Sequence, residues 1–133
     1  PHEKAIYWKS IDDFEGKKTR RELLGSWKEI VDEYIIFIEG DTRTRLMEFC
    51  PGRIHFAFLD GGHTFEHVSR EFKLVAQFQK PGDIIVFDDY NPDQFPGLVS
   101  SVDKLSIELG YGLKVVQAGN KRGYAITHKL SAK

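Results

Sequence analysis

Lys80-Pro-Gly-Asp-Ile-Ile-Val-Phe-Asp-Asp-Tyr90 is the stretch whose reading decides the fold. Pro81-Gly82 stops any helix running into it, because proline removes a backbone donor and glycine disfavours helical order. Ile84-Ile-Val-Phe87 is a short, unbroken apolar run, too short for a buried helix and suited to a strand covered on both faces. Asp88-Asp89 ends that run with two adjacent carboxylates.

The same grammar extends in both directions. Upstream, Phe65, Val68, Phe72, Val75 and Ala76 recur at helical spacing, and Ile54-His-Phe-Ala-Phe-Leu59 is a strand ending at Asp60-Gly-Gly-His63. Before it come a brief helix, about 42–49, and a short buried strand, Ile35-Ile-Phe-Ile38, closed by Glu39-Gly-Asp41. Thr19-Arg-Arg-Glu22 has the spacing of a capping box, and Leu23, Leu24, Trp27, Ile30 and Val31 make one apolar helix face behind it. Ala5 to Ile11 reads as the first strand, ending at Asp12-Asp13.

Downstream, Leu98, Val102, Leu105 and Leu109 mark a helix closed by Gly110. Leu113–Gln117 and Tyr124–Thr127 are two strands joined by Gly119-Asn-Lys-Arg-Gly123, a turn composition that suits a hairpin. The order βαβαβαβαββ predicts an α/β fold: a mostly parallel sheet with helices on both faces and a C-terminal antiparallel hairpin. No repeat, low-complexity tract or linker divides the chain, which is expected to be a single domain over 1–133.

Composition narrows the partners. Lys and Arg number 19 against 20 Asp and Glu, a net charge of -1, so no electrostatic argument favours nucleic acid or an acidic membrane. No apolar run approaches the ~18 residues of a membrane span. Cys50 is alone and has no internal disulfide partner, which fits a reducing, cytoplasmic setting.

Ligands of open α/β sheets bind at the carboxyl ends of the parallel strands. Each of the first four strands ends there in acid: Asp12, Asp41, Asp60, then Asp88 with Asp89. A single Asp after a strand commonly caps the next helix. Adjacent carboxylates repel unless a cation or hydrogen bonds compensate them, and capping does not account for the pair. Three acids on neighbouring strand ends suit a hard divalent ion such as Mg²⁺. An unperturbed imidazole titrates near neutrality, so His63 could accept a proton from a substrate hydroxyl, or it could face solvent at the start of a helix. His63-Thr-Phe-Glu-His67 also spells H-x-x-E-H, a zinc-peptidase pattern, for which Glu108 is the obvious third ligand.

With Phe58-Leu-Asp-Gly-Gly-His-Thr-Phe-Glu66 and Lys80–Tyr90 in view, the sequence resembles the class I S-adenosylmethionine-dependent methyltransferases. It is most similar to the branch with a D-G-x-H-x-Y-E turn after strand four and a D-D-Y turn after strand five. The resemblance implies a Rossmann-like sheet of seven strands ending in a hairpin. Asp12 then matches the acid that binds the cofactor ribose, and Asp41 the position flanking adenine. Asp60, which also borders the cofactor, Asp88 and Asp89 match the metal triad of metal-dependent O-methyltransferases, and His63 matches their base. Phe65 stands where Tyr is usual, and Asp83 where a second Gly often follows Pro-Gly.

The family has three strand-helix units before the D-G-x-H turn, and this sequence has two. The unit carrying strand one and the glycine-rich cofactor loop is missing, which implies an N-terminally truncated domain with a gap beside the strand that ends at Asp60. That gap would favour assembly, including a homo-oligomer. The expected activity is methyl transfer from S-adenosylmethionine, assisted by Mg²⁺, to a small-molecule hydroxyl. The rivals are a non-catalytic interaction module and a metal-dependent hydrolase or hydroxylase using the same carboxylates.

Overall fold

A computed structural model describes residues 20–49, 51–119 and 121–132, the side chain of residue 20 excepted, and divides the chain into two compact units, 1–40 and 41–133. The expected strand Ala5–Ile11, its terminal Asp12 and the capping residue Thr19 lie outside the described residues.

In the first unit the expected helix is interrupted. Helix α1 (Arg20–Leu23) gives way to a 3-10 turn over Gly25–Trp27 before α2 (Lys28–Tyr34) resumes. Gly25-Ser26 is the weakest helix-forming pair of the segment, and the tighter Trp27 N–H to Leu24 carbonyl bond (2.9 Å) replaces the α-helical one. Ile35–Ile38 is not a buried strand. Ile35 has extended backbone, φ -121° and ψ 127°, and the four side chains of the segment are exposed.

The second unit holds α3 (Thr42–Phe49), β1 (Phe56–Leu59), α4 (Phe65–Gln77), β2 (Ile84–Phe87), α5 (Pro96–Leu109), β3 (Tyr111–Gln117) and β4 (Gly123–Lys129). The sheet order is β1-β2-β4-β3, with β1 parallel to β2 and β4 antiparallel to both β2 and β3. The α/β class and closing hairpin thus follow the sequence pattern. β1 begins two residues later than its apolar run, because Ile54 N–H turns to the Phe78 carbonyl at 2.8 Å instead of joining the ladder.

Val68, Phe72, Val75 and Ala76 of α4 and Leu98, Val102 and Leu105 of α5 pack with Ile85, Phe87 and Ala125 into one core. Phe72 is fully buried, its ring 5.0 Å from those of Phe87 and Tyr111. Pro96 occupies the first turn of α5, where its missing N–H costs nothing, and Gly110 (φ 72°) ends that helix in the left-handed conformation glycine tolerates. The opposite sheet face is more open, with Phe56 59% and Phe58 51% exposed. β1 has a hydrogen-bonded neighbour on one side only among the described residues. Among the described residues no helix is long and apolar enough to cross a membrane.

Asp83, where a second glycine is usual, closes the lower end of the sheet. Its buried carboxylate accepts bonds from Arg53 Nη2 (2.8 Å) and Nε (3.1 Å) and from Lys80 N–H (2.7 Å). The Arg53 guanidinium foremost, then the Lys80 amide, hold its pKa down from 3.8 to about 2. Between those values the folded chain binds fewer protons here than the unfolded chain. The contribution to stability is therefore complete above 3.8 and is lost as pH falls through the folded value, about 2. Asp83→Asn is expected to shrink the stability difference between about pH 6 and about pH 2.5, measured by urea unfolding; an unchanged difference would remove Asp83 from the acid response.

Candidate functional site

The parallel strands β1 and β2 deliver their last residues to one place. Asp60 follows β1, Asp88 and Asp89 follow β2, and the Asp88 N–H donates to the Leu59 carbonyl at 3.1 Å, locking the two strand ends side by side. Asp89 has φ 57°, a conformation non-glycine residues adopt seldom and which recurs at functional turns. That backbone turn aims its carboxylate at the segment after β1.

Asp60, His63 and Asp89 each offer a ligand atom within 4.8 Å of the others, the one such group among the described residues. His63 Nε2 lies 2.8 Å from Asp89 Oδ2. With Asp89 ionised, that contact needs a proton on Nε2, which leaves the lone pair of a neutral imidazole on Nδ1. The ring stacks on Phe95, centroids 4.2 Å apart and planes 21° from parallel. The Asp60 pKa is raised, first by burial and then by the charges of Asp88 and Asp89, against the opposing pull of His63 and Arg122.

Asp88 stands behind this group. It is 5% exposed; Oδ1 accepts the Asp89 N–H at 2.7 Å, and Arg122 Nη2 approaches Oδ2 at 3.5 Å. The hairpin turn grips the same segment twice more, through Tyr90 N–H to the Gly123 carbonyl (3.0 Å) and Asn91 Nδ2 to the Lys121 carbonyl (2.9 Å). Asn91 Oδ1 accepts from the Asp93 and Gln94 amides, folding the loop that presents Phe95. Burial, together with the Asp103 carboxylate that Tyr90 bonds at 2.5 Å, raises the Tyr90 pKa far above its ordinary value.

The remaining expected site residues are placed differently. Asp41 caps α3: its carboxylate accepts the Arg43 N–H at 2.9 Å and pairs with the Arg43 guanidinium, which drives its pKa well below the carboxylate range. It does not join the Asp60 group. The H-x-x-E-H zinc arrangement does not form either. His63 lies in the turn before α4, whose cap is Thr64, whereas His67 is in the helix and bonds Glu71 at 3.1 Å; Glu108 pairs loosely with Lys104. Phe95 and Arg122 were not evident as site residues from sequence, since a lone aromatic in a turn-rich loop and an arginine in a hairpin turn carry no spacing signal. A cleft in the 1–40 unit, lined by Leu24, Lys28, Val31, Ile35 and Phe37 among others, contains none of these residues.

The sequence profile of a methyltransferase domain matches residues 3–90. The chain belongs to that methyltransferase-domain family. An uncharacterized protein of Acanthamoeba polyphaga mimivirus, R132, is 29% identical over 68 residues, covering 50% of this chain and 31% of that protein. Among solved structures, a candidate O-methyltransferase of Klebsiella pneumoniae superimposes with a TM-score of 0.64 at 13% identity, over 84% of this chain and 59% of its own. The O-methyltransferase NovP gives 0.63 at 14% identity, over 90% of this chain and 48% of its own. The structural likenesses carry the fold, and the chain spans less than two thirds of each of these proteins.

The turn between β1 and α4 needs glycine at position 62 for close approach. A Cβ built there would sit 2.3 Å from His67 Cγ, inside contact distance of the whole ring. Gly62→Ala is expected to destabilise the fold by about 1–3 kcal/mol through overpacking. Gly25→Ala, where a Cβ meets nothing within 4 Å, should not destabilise. Urea unfolding of both variants checks this, and equal stability would mean that the turn has room to yield.

Proposed function

We propose that residues 41–133 carry the metal and acceptor side of an S-adenosylmethionine-dependent O-methyltransferase acting on a small-molecule hydroxyl. The observation that carries the reading is the convergence of Asp60, His63 and Asp89 on two adjacent parallel strand ends, one of them in a left-handed backbone conformation. The family membership supports methyl transfer, and the O-methyltransferases among the fold relatives favour oxygen as acceptor.

The donor set fits a divalent cation: two carboxylates converge with an imidazole, and a small hard ion accepts few protein oxygens while keeping waters. Asp60 and Asp89 would hold it, with Asp88 adding negative charge from behind. When bound, such an ion lowers the pKa of a hydroxyl beside it. His63 would take the hydroxyl proton on Nδ1, because Nε2 is committed to Asp89, and the positive ring that results is stabilised by that same carboxylate. Phe95 fixes the plane of the ring, so the base keeps one direction toward the acceptor. S-adenosylmethionine, when bound, would supply the methyl carbon, activated by its sulfonium, to the hydroxyl oxygen that these residues position. Asp12, outside the described residues, Asp41 and Asp60 are the proposed cofactor-binding acids.

Mn²⁺ alone, titrated into the chain and followed by its electron paramagnetic resonance signal, tests the metal reading. Wild type is expected to bind, and Asp60→Asn and Asp89→Asn to bind about tenfold or more weakly, roughly 1.4 kcal/mol each. His63→Ala should change Mn²⁺ affinity much less. Wild-type binding that neither Asp variant alters would overturn the assignment. Calorimetric titration of S-adenosylhomocysteine into the same chain tests the cofactor separately.

A further inference from the structure

One buried charge lies outside this chemistry. Glu71, on α4, is 4% exposed, yet a carboxylate taken from water is costly unless its partners repay the desolvation. Its partners are specific. Oε1 accepts the Thr42 hydroxyl from the first turn of α3 and lies 3.1 Å from His67 Nε2, and the charge of Arg43 is close enough to attract it. The His67 ring in turn lies against Gly62, and Oε1 would lie 3.1 Å from a Cβ on Gly61. One oxygen atom therefore joins the turn that begins with Asp41 to the turn that runs from Asp60 to His63.

Replacing all three partners by apolar side chains of like shape would be near neutral in stability, whereas removing Glu71 alone strands the Thr42 hydroxyl and the His67 N–H. What the carboxylate adds is direction. We propose that Glu71 is a positioning residue that holds the Asp41 turn and the Asp60–His63 turn at a fixed separation, Thr42 being the tie to one and His67 the tie to the other. The assignment of those turns to the cofactor side and the metal side rests on the function proposed above; the mechanical link does not.

Amide hydrogen exchange on the whole chain reads the link without any ligand. The reporters are Arg45 N–H, bonded to the Asp41 carbonyl, and Val68 N–H, bonded to the Thr64 carbonyl. Glu71→Ala is expected to speed exchange at both by about tenfold or more, as local opening costs fall, while Ile85 and Thr127 amides in the sheet stay protected. Glu71→Gln should restore both reporters, because a single amide oxygen can accept the Thr42 and His67 bonds together. Acceleration at one reporter alone, at neither, or equally throughout the sheet would overturn the proposal, as would failure of Gln to restore it. Should Glu71→Ala not fold, Thr42→Val carries the test through the α3 side: Arg45 exchange must rise while the sheet stays protected.

Mn²⁺ then separates this proposal from the reading of the site. Protection of Arg45 by Mn²⁺ in wild type, lost in Thr42→Val, is the expected coupling between the turns. Protection of Arg45 that persists in Thr42→Val would overturn the link. Absence of any Mn²⁺ effect in wild type counts against the metal assignment, while the ligand-free exchange results decide the link on their own.

Discussion

The packing of Phe72 against Phe87 and Tyr111 is the contact on which the second unit depends. It joins α4 to β2, through Phe87, and to the first residue of β3, through Tyr111. It also sets the rotation of α4. With Phe72 and Val68 turned into the core, the neighbouring stripe that carries His67 and Glu71 is turned toward α3 and the glycine turn. The Tyr111 hydroxyl, donating to Gln79 at 2.8 Å, secures the same corner from its polar end, and burial raises its pKa to about 12. A helix rotated by one position would put a carboxylate where the ring is and lose both the core and the polar stripe.

That rotation explains why two histidines four residues apart have different surroundings. His63 precedes the helix cap and falls toward Asp89 and Phe95; His67 follows it and falls toward Glu71. Each imidazole faces its own carboxylate, one half-open to solvent and one buried. A carboxylate opposite an imidazole fixes which nitrogen carries the proton. In the first pair that choice bears on the proposed chemistry, and in the second on the proposed placing of a turn.

Much of this was legible from residue order. Ile84–Phe87, the apolar face of α4, the Gly110 stop and the closing hairpin are local signals, each bounded by proline, glycine or a cap, and each appears where its pattern places it. The burial expected of Ile35–Ile38 does not appear, because an apolar run does not itself specify what covers it. The acids were legible as a set but not in their grouping. Asp88 and Asp89 are adjacent in sequence and their side chains diverge, one to Arg122 and one to His63, because the left-handed turn at Asp89 separates them. Phe95 meets His63 and Glu71 meets Thr42 across more than twenty residues, and no spacing rule reaches that far; only the pairing of Glu71 with His67 is local.

The position of β4 has a consequence for how the chain comes into being. It follows β2 and β3 in the chain, yet it lies between them in the sheet. A nascent chain that has emerged only to the end of β3 therefore presents two bare strand edges facing each other, with nothing to bridge them. The same late segment brings the Gly123 carbonyl, the Lys121 carbonyl and the Arg122 guanidinium that fasten residues 88–91. The acidic turn after β2 is thus clasped only once residues 121–123 have been made, so a chain ending before them would lack support for a candidate site whose own residues are all present.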